Sequence, residues 1–439
     1  MGNRRKRVLI ITYYWPPAGG VSVLRCLKFA KYLRQFDWEP VIFTVENPTY
    51  PFLDPGNEKD IPDGIEVLRG PIFEPIKLFK KLSGRKSTDP LQNIIQSSGK
   101  KRSRLDRLGI FIRGNFFIPD ARAAWIRPSV TRLKQYLKAN PVDAIFSDGP
   151  PHTNTVIALR LAQATGIPWL ADFQDPWTQA DYYAHMAITP IAHRKHRALE
   201  QLVFQTAKKI TIASPTWKVD LESIGARNVS VLYYGFDESD YADYRIQPAE
   251  HFHIFHAGLI GNDRNPTVLF AALAALFTRR PELRKRIKLV FAGEVDHSIV
   301  ESIQQHELHE NLKLLGMLSR KEVREEYSRS AWLLLPINQA ENAGGRIPGK
   351  FYEYMRAGIP IVAFGPETGD VRAILESHSL GSYFTYSADR ESIEAALEAR
   401  FADWEKGAVG NSAAGIQDFS NEHQTRLLAG WLNQISDGR

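Results

Sequence analysis

Cysteine is almost missing from this chain: 439 residues contain one, Cys26. No intrachain disulfide can form, which excludes a small secreted domain built on disulfides. Cys26 sits in the helix-periodic run VLRCLKFAKYL and reads as a small core side chain. Long apolar runs are missing too. The longest, Val268 to Phe277, falls well short of the ~18–20 residues that span a bilayer. The start, MGNRRKRVLIITYYWPP, is basic but has only a short apolar stretch and no small-residue cleavage site, so it does not read as a signal peptide. It also lacks Ser or Thr at position six, so myristoylation is not expected. No short tandem repeat is visible, against a solenoid or propeller. The expectation is a cytoplasmic protein without a membrane span.

What is present is ordinary in amount and uneven in place. Hydrophobic residues make up 44% and charged residues 24%, as in soluble globular proteins. The length favours two or three domains at ~150 residues each. The formal net charge is +7, yet Lys77–Arg127 alone holds thirteen cations against three anions, a net of +10. The rest of the chain is therefore at −3. Cations alternate with apolar residues there, as in KLFKKL and RLGIFIRGNFFIP. That mixture suits an anionic membrane surface, with a solvated charged loop as the alternative. No nucleic-acid module accompanies it, so nucleic acid is not an expected partner.

Strand-like and helix-like runs alternate, which predicts parallel sheets covered on both faces, an α/β class. Strands are expected at Val8–Tyr14, Pro40–Val45, Ile65–Arg69, Ala144–Ser147, Pro168–Phe173, Lys209–Ala213 and Val229–Tyr233. A basic insertion over about 75–127 interrupts them. The polar, acidic Gly235–Glu250 reads as a linker. A second series follows: His253–His256, Lys288–Ala292, Leu312–Leu315, Trp332–Pro336 and Ile361–Phe364, with helices between and a last helix at Asn421–Ile435. The reading is two doubly wound Rossmann-like domains, 1–240 and 241–405, and a C-terminal segment 406–439. Open parallel sheets bind ligands beyond their carboxyl ends, so the loops there should carry the function.

The most informative loop is NAGGRIPGKFYEYMRAGIPIVAFGPETGD, Asn342–Asp370. Gly344, Gly345 and Gly349 allow close backbone approach. Pro348 fits the first turn of a helix, whose N-terminal N–H groups suit a phosphate or sugar hydroxyls. Lys350 adds a full charge, and Glu353, three residues on, can accept two hydrogen bonds from a ribose diol. In the first half, Gly19 and Gly20 precede a helix, His152 follows a strand end, and Asp172, Asp175 and Trp177 lie in ADFQDPW. Each of these also has a plain structural reading: a tight turn, a core histidine, a cap or a packed indole.

GKFYEYMRAGIPIVA resembles the donor-site signature of GT-B fold glycosyltransferases of the family-four-like group. YYWPPAGGVSVLRCLKFAKYL, SDGPPHTNTVIA, VLYYGFDESDY, HAGLIGNDRNPTVLFAAL and GMLSRKEVREEYSRSAWLLLPI resemble further segments of that family, so only the basic insertion stands outside. The resemblance implies GT-B architecture and a final helix that crosses back to the first domain. It implies transfer of a sugar from a nucleotide-diphosphate sugar to a glycan or lipid-linked acceptor in surface polysaccharide biosynthesis, with retention. It implies donor binding by Gly258, Arg264, Leu318, Gly345, Arg346, Gly349, Lys350, Glu353 and Tyr354, and an acceptor side of Gly19, Gly20, His152, Asp172, Asp175 and Trp177.

Arg264, Lys350 and His152 are the catalytic candidates, with Asp148, Asp172 or Asp175 as possible bases if transfer inverts. No Asp-x-Asp occurs, so neither a metal nor another cofactor is expected. Two positions depart from the pattern: Gly345 stands where the family has its first glutamate, and Leu269 stands where it has a lysine. A nucleotide-sugar 2-epimerase of the same fold and a non-catalytic, membrane-associated nucleotide-sugar-binding protein are the alternatives. The enzyme is expected in the cytoplasm, where the basic insertion could hold it peripherally at the inner membrane face.

Overall fold

The computed structural model describes residues 5–72, 104–340, 342–410 and 415–438, apart from the side chains of 104–106, 182 and 184. The chain forms two compact units, Met1–Tyr234 with Asn421–Arg439, and Gly235–Ser420.

The first unit holds β1 Lys6–Ile11, β2 Trp38–Val45, β3 Glu66–Gly70, β4 Ala144–Gly149, β5 Trp169–Phe173, β6 Lys209–Ile212 and β7 Val229–Val231. They lie in the order β3-β2-β1-β4-β5-β6-β7, and every pairing is parallel. The central strands are apolar on both sides because helices cover both faces. Leu9, Ile11, Phe43 and Trp169 face one layer with Ile157 and Leu161. Val8, Ile10, Ile42 and Phe146 face the other with Leu27 and Phe29. The last helix, Asn421–Asp437, lies on this second face through Leu428, Ala429 and Leu432.

The second unit holds β8 Phe252–Ala257, β9 Ile287–Ala292, β10 Leu312–Gly316, β11 Trp332–Pro336, β12 Ile361–Gly365 and β13 Gly381–Thr385. Their order is β10-β9-β8-β11-β12-β13, again all parallel. In each sheet the order reverses beside the first strand of the unit, between β1 and β4 and between β8 and β11. A crevice opens at such a point because neighbouring loops leave on opposite faces.

The structure differs from the sequence reading in four places. The acidic segment after Gly235 is not a loose linker. Tyr241 is buried, its hydroxyl donates to the Glu353 carbonyl at 3.1 Å, and Asp240 and Glu238 pair with Arg320 and Arg356. β13 was not expected, because GSYFT is only half-buried at a sheet edge and lacks a clean alternation. The first strand ends at Ile11, not Tyr14. Finally, the basic insertion is shorter than 75–127. Residues 75–103 lie outside the described residues, but Arg122 sits 4.1 Å from the centre of the Tyr13 ring and buried Trp125 stacks on Phe43 at 5.2 Å. These residues belong to the core, and helix Ile126–Ala139 follows directly.

Candidate active site

In the second unit the ends of β8, β9 and β10 are tied by backbone hydrogen bonds, Gly258 N–H to Ala292 O at 2.8 Å and Gly293 N–H to Gly316 O at 2.7 Å. The close approach requires glycine. A Cβ on Gly293 would lie 2.7 Å from the Gly258 carbonyl oxygen, and both residues have positive φ, 104° and 107°. Gly258 in turn faces Lys350, since a Cβ there would meet Nζ at 3.0 Å.

Lys350 stands on the first turn of helix Gly349–Ala357, which follows Pro348 and ends at Gly358 with φ 69°. Such an end matches the left-handed conformation that closes many helices. Among the described residues the side-chain hydrogen-bond partner of Lys350 Nζ is His256 Nε2 at 3.4 Å. Burial and the nearby Arg264 guanidinium pull the ammonium pKa down to about 7, only partly opposed by Glu353. Burial and the same lysine also push His256 well below its usual value, so it is a neutral imidazole. The site is a half-buried cation that, among the described residues, no carboxylate pairs, beside free N–H groups at a helix N-terminus. Such an arrangement is built for an anion.

One turn further, Glu353 accepts a hydrogen bond from Tyr327 at 2.9 Å. That bond fixes the carboxylate while leaving acceptor capacity. Tyr354 corrects the sequence reading. It is fully buried, accepts from the Ala257 N–H at 3.1 Å, and so braces β8 instead of facing a ligand. Arg264 is held by Asp263 through two bonds of 2.9 and 3.1 Å. Gly345 is buried in the turn Ala343–Gly345, half-buried Arg346 follows it, and half-buried Leu318 lies in the loop after β10. Leu269, where the family pattern has lysine, is fully buried among Phe270, Leu273 and Phe291. No cation could sit there without a partner.

The first unit presents a different kind of polar cluster. Arg25 and Asp172 form a fully buried ion pair, 2.6 and 2.8 Å, and Arg25 also donates to the Leu232 and Tyr233 carbonyls. Asp172 accepts from Thr211 as well, at 2.6 Å. It is thus a structural carboxylate, not an acceptor-side base. Asp148 accepts from Thr12, Asn154 and Gln174, and burial pushes its pKa up to about 7. Tyr234 donates to Gln174 at 2.8 Å, and its ring lies 5.0 Å from the Arg25 guanidinium.

His152 is the exception in this unit. It begins helix His152–Thr165, and among the described residues neither ring nitrogen has a hydrogen-bond partner although the residue is 4% exposed. Burial, reinforced by His196, lowers its pKa to about 3, so it is neutral at any physiological pH. Trp177 is buried and stacks on it at 4.4 Å, which fixes the imidazole plane and leaves the indole no face for a sugar. Asp175 is half-buried near Tyr234. Gly20 has φ 88° and open space around it at the start of helix Val21–Leu33, whereas Gly19 is packed against Leu53 and Asp54.

Residues 251–403 match the family model described as glycosyl transferases group 1, and residues 19–235 match the glycosyl transferase 4-like domain. The chain belongs to the GT-B glycosyltransferases. Solved structures agree in fold. A sucrose-phosphate synthase from Thermosynechococcus elongatus is 14% identical over 99% of this chain and 100% of its own, with a TM-score of 0.61. The lipopolysaccharide outer core galactosyltransferase WaaB in its apo form is also 14% identical, over 99% and 100%, at 0.55. A putative UDP-N-acetylglucosamine 2-epimerase from Listeria monocytogenes is 12% identical over 99% and 97%, at 0.56. Among curated proteins no sequence matches. The fold alone therefore accommodates both transferase and epimerase, and the family models identify this chain as a nucleotide-sugar glycosyltransferase.

In the transferase, the structure brings Gly258, Gly349, Lys350 and Glu353 together at the strand ends of the second unit and moves Tyr354 and Asp172 into structural roles. Three neighbours escaped the sequence reading: His256 against Lys350, Tyr327 against Glu353, and Tyr241 beneath the Glu353 backbone. A tyrosine on a helix or in an acidic segment carries no spacing signal, so only the fold reveals what its hydroxyl meets.

Proposed function

We propose that this transferase moves a sugar from a nucleotide-diphosphate sugar to a glycan or lipid-linked acceptor in surface polysaccharide biosynthesis, with retention and without a metal ion. The reading rests on the unpaired Lys350 at the N-terminus of helix Gly349–Ala357, with Glu353 one turn on. Cleavage of the bond from the anomeric carbon to the diphosphate builds negative charge on the leaving phosphate. Lys350, the N–H groups of Gly349 and Lys350, and Arg264 once released from Asp263 stabilise that charge. Glu353, oriented by Tyr327, accepts from the ribose diol. In a retaining transfer the leaving phosphate takes the acceptor hydroxyl proton, so no carboxylate base is required. His152, held neutral, offers a hydrogen bond to a sugar hydroxyl and is too weakly basic to act as the base. The proposed metal independence rests on the cations at the site, which can neutralise the leaving phosphate as a metal ion would.

The test is a thermal-shift panel of UDP-, GDP-, ADP- and CDP-sugars, because a ligand that binds the native state raises Tm. One donor class should raise it, and Glu353→Gln should abolish the shift. Transfer should survive a chelator, and NMR of the product should show the donor's anomeric configuration. No shift with any donor, together with an unaffected Glu353→Ala variant, would overturn the reading. Sugar inversion at C2 without acceptor would point to an epimerase. Donor binding without transfer to any acceptor would point to a sensor.

A further inference from the structure

Helix Arg104–Phe116 of the first unit carries an apolar stripe that faces solvent. Leu108, Phe111, Ile112 and Phe116 are 54%, 38%, 40% and 73% exposed, at the i, i+3, i+4, i+8 spacing that places them on one helix face. Soluble domains normally turn such a stripe inward, and a contiguous exposed apolar patch marks an interaction surface. The helix is docked, not loose. Gly114 packs so tightly that a Cβ would meet the Met186 carbonyl oxygen at 2.6 Å. Asn115 donates to the Ala187 carbonyl at 3.0 Å and accepts from the Thr189 N–H at 2.7 Å.

Thr189 caps the adjoining helix, Pro190–Thr206, whose first turn exposes Ile191 at 62%. Exposed Arg194 and Lys195 follow on the same face, again at i+3 and i+4. Arg107 is exposed at the other end of the stripe. Among the described side chains of these two helices the one acid is Glu200, which is buried and accepts from Thr178; Asp106, beside Arg107 in sequence, lies outside the described side chains.

We propose that these two helices form a docking face for an anionic lipid bilayer. Leu108, Phe111, Ile112, Phe116 and Ile191 enter the boundary between headgroups and acyl chains, and Arg107, Arg194 and Lys195 meet lipid phosphates. Apolar burial and cationic attraction act together at such surfaces, and the electrostatic part is screened by salt. No helix among the described residues is long and apolar enough to cross a membrane, so this contact is peripheral. The inference is independent of which sugar is transferred.

The test is flotation of the full-length protein with vesicles of phosphatidylcholine, alone or mixed with phosphatidylglycerol. Binding is expected to the mixed vesicles only, falling as salt rises. The double variant Leu108→Ser/Phe116→Ser should weaken it roughly tenfold or more, since each side chain is exposed and its loss removes apolar area from the contact. Arg194→Ala/Lys195→Ala should weaken it several-fold and flatten the salt dependence. The F116W substitution should show a blue-shifted, brominated-lipid-quenched emission on binding. Equal binding to neutral vesicles would overturn the proposal. So would Leu108→Ser/Phe116→Ser binding like the parent, or a stripe buried in a dimer that light scattering detects and that double variant abolishes. Circular dichroism and unchanged transfer to a soluble acceptor show that each variant is folded.

Discussion

Both units place charged groups at the carboxyl ends of a parallel sheet, and they treat them in opposite ways. In the first unit Arg25 meets Asp172 twice and two backbone carbonyls besides. In the second, Lys350 is pulled down to about 7, and among the described residues its side-chain hydrogen-bond partner is a neutral imidazole. Burying a charge is tolerated where partners replace water and strains the fold where they do not. The paired cluster is therefore architecture, and the lysine is where the proposed donor phosphate would find its counter-charge.

The comparison breaks first at Asp172. Asp172→Ala leaves Arg25 buried without its counter-charge and should destabilise the protein by about 3–5 kcal/mol, read as a lower midpoint in urea. At temperatures where the variant is still folded, donor affinity should be unchanged. A variant as stable as the parent would mean that water reaches Arg25.

Lys350→Met should do the reverse. Removing a half-buried charge that has no carboxylate partner among the described residues should leave stability unchanged or raise it slightly. Losing its stabilisation of the leaving phosphate should lower kcat by about 10²–10³-fold. A destabilised variant with intact kcat would place Lys350 with the structural charges.

The pH dependence sharpens the same contrast. Lys350 titrates near 7 in the folded protein and at 10.5 when unperturbed. Between those values the unfolded chain holds a proton that the folded one has released, so this group makes stability rise with pH across that window. Donor binding needs the charged form and should recapture the proton. Affinity should then fall as pH rises above about 7, and calorimetry in two buffers of different ionisation enthalpy should report proton uptake. Uptake should vanish in Lys350→Met.

Much of this was legible in the sequence. The alternation of apolar runs locates twelve of the thirteen strands among the described residues, because buried parallel strands must be apolar on both faces. Gly349, Lys350 and Glu353 were legible because a helix N-terminus and a three-residue spacing fix their relation. What was hidden depends on partners far apart in the chain. Asp172 and Asp175 are alike in ADFQDPW, and only the fold shows that Arg25, 147 residues away in sequence, claims one of them. Tyr354 lies beside Glu353, yet the turn of the helix directs it into the core. The acidic stretch after Gly235 reads as a linker in sequence because its charges are paired by Arg320 and Arg356, 80 and 118 residues downstream of their partners.

The smallest effect is expected at Asp263, and it tests how far the open character of the second site extends. Arg264 is near enough to Lys350 to lower its pKa, yet its guanidinium is turned to a half-exposed neighbouring carboxylate. Exposed pairs of this kind hold by no more than about 1 kcal/mol, so a diphosphate can take the arginine away at little cost. Asp263→Ala removes the competitor in advance. Donor affinity should rise, by roughly fivefold at most, the equivalent of that energy. The gain should disappear in Arg264→Ala/Asp263→Ala. Affinity that falls instead would mean that the Asp263 carboxylate itself contacts the donor, and Arg264 would then belong with the paired, structural charges of the first unit.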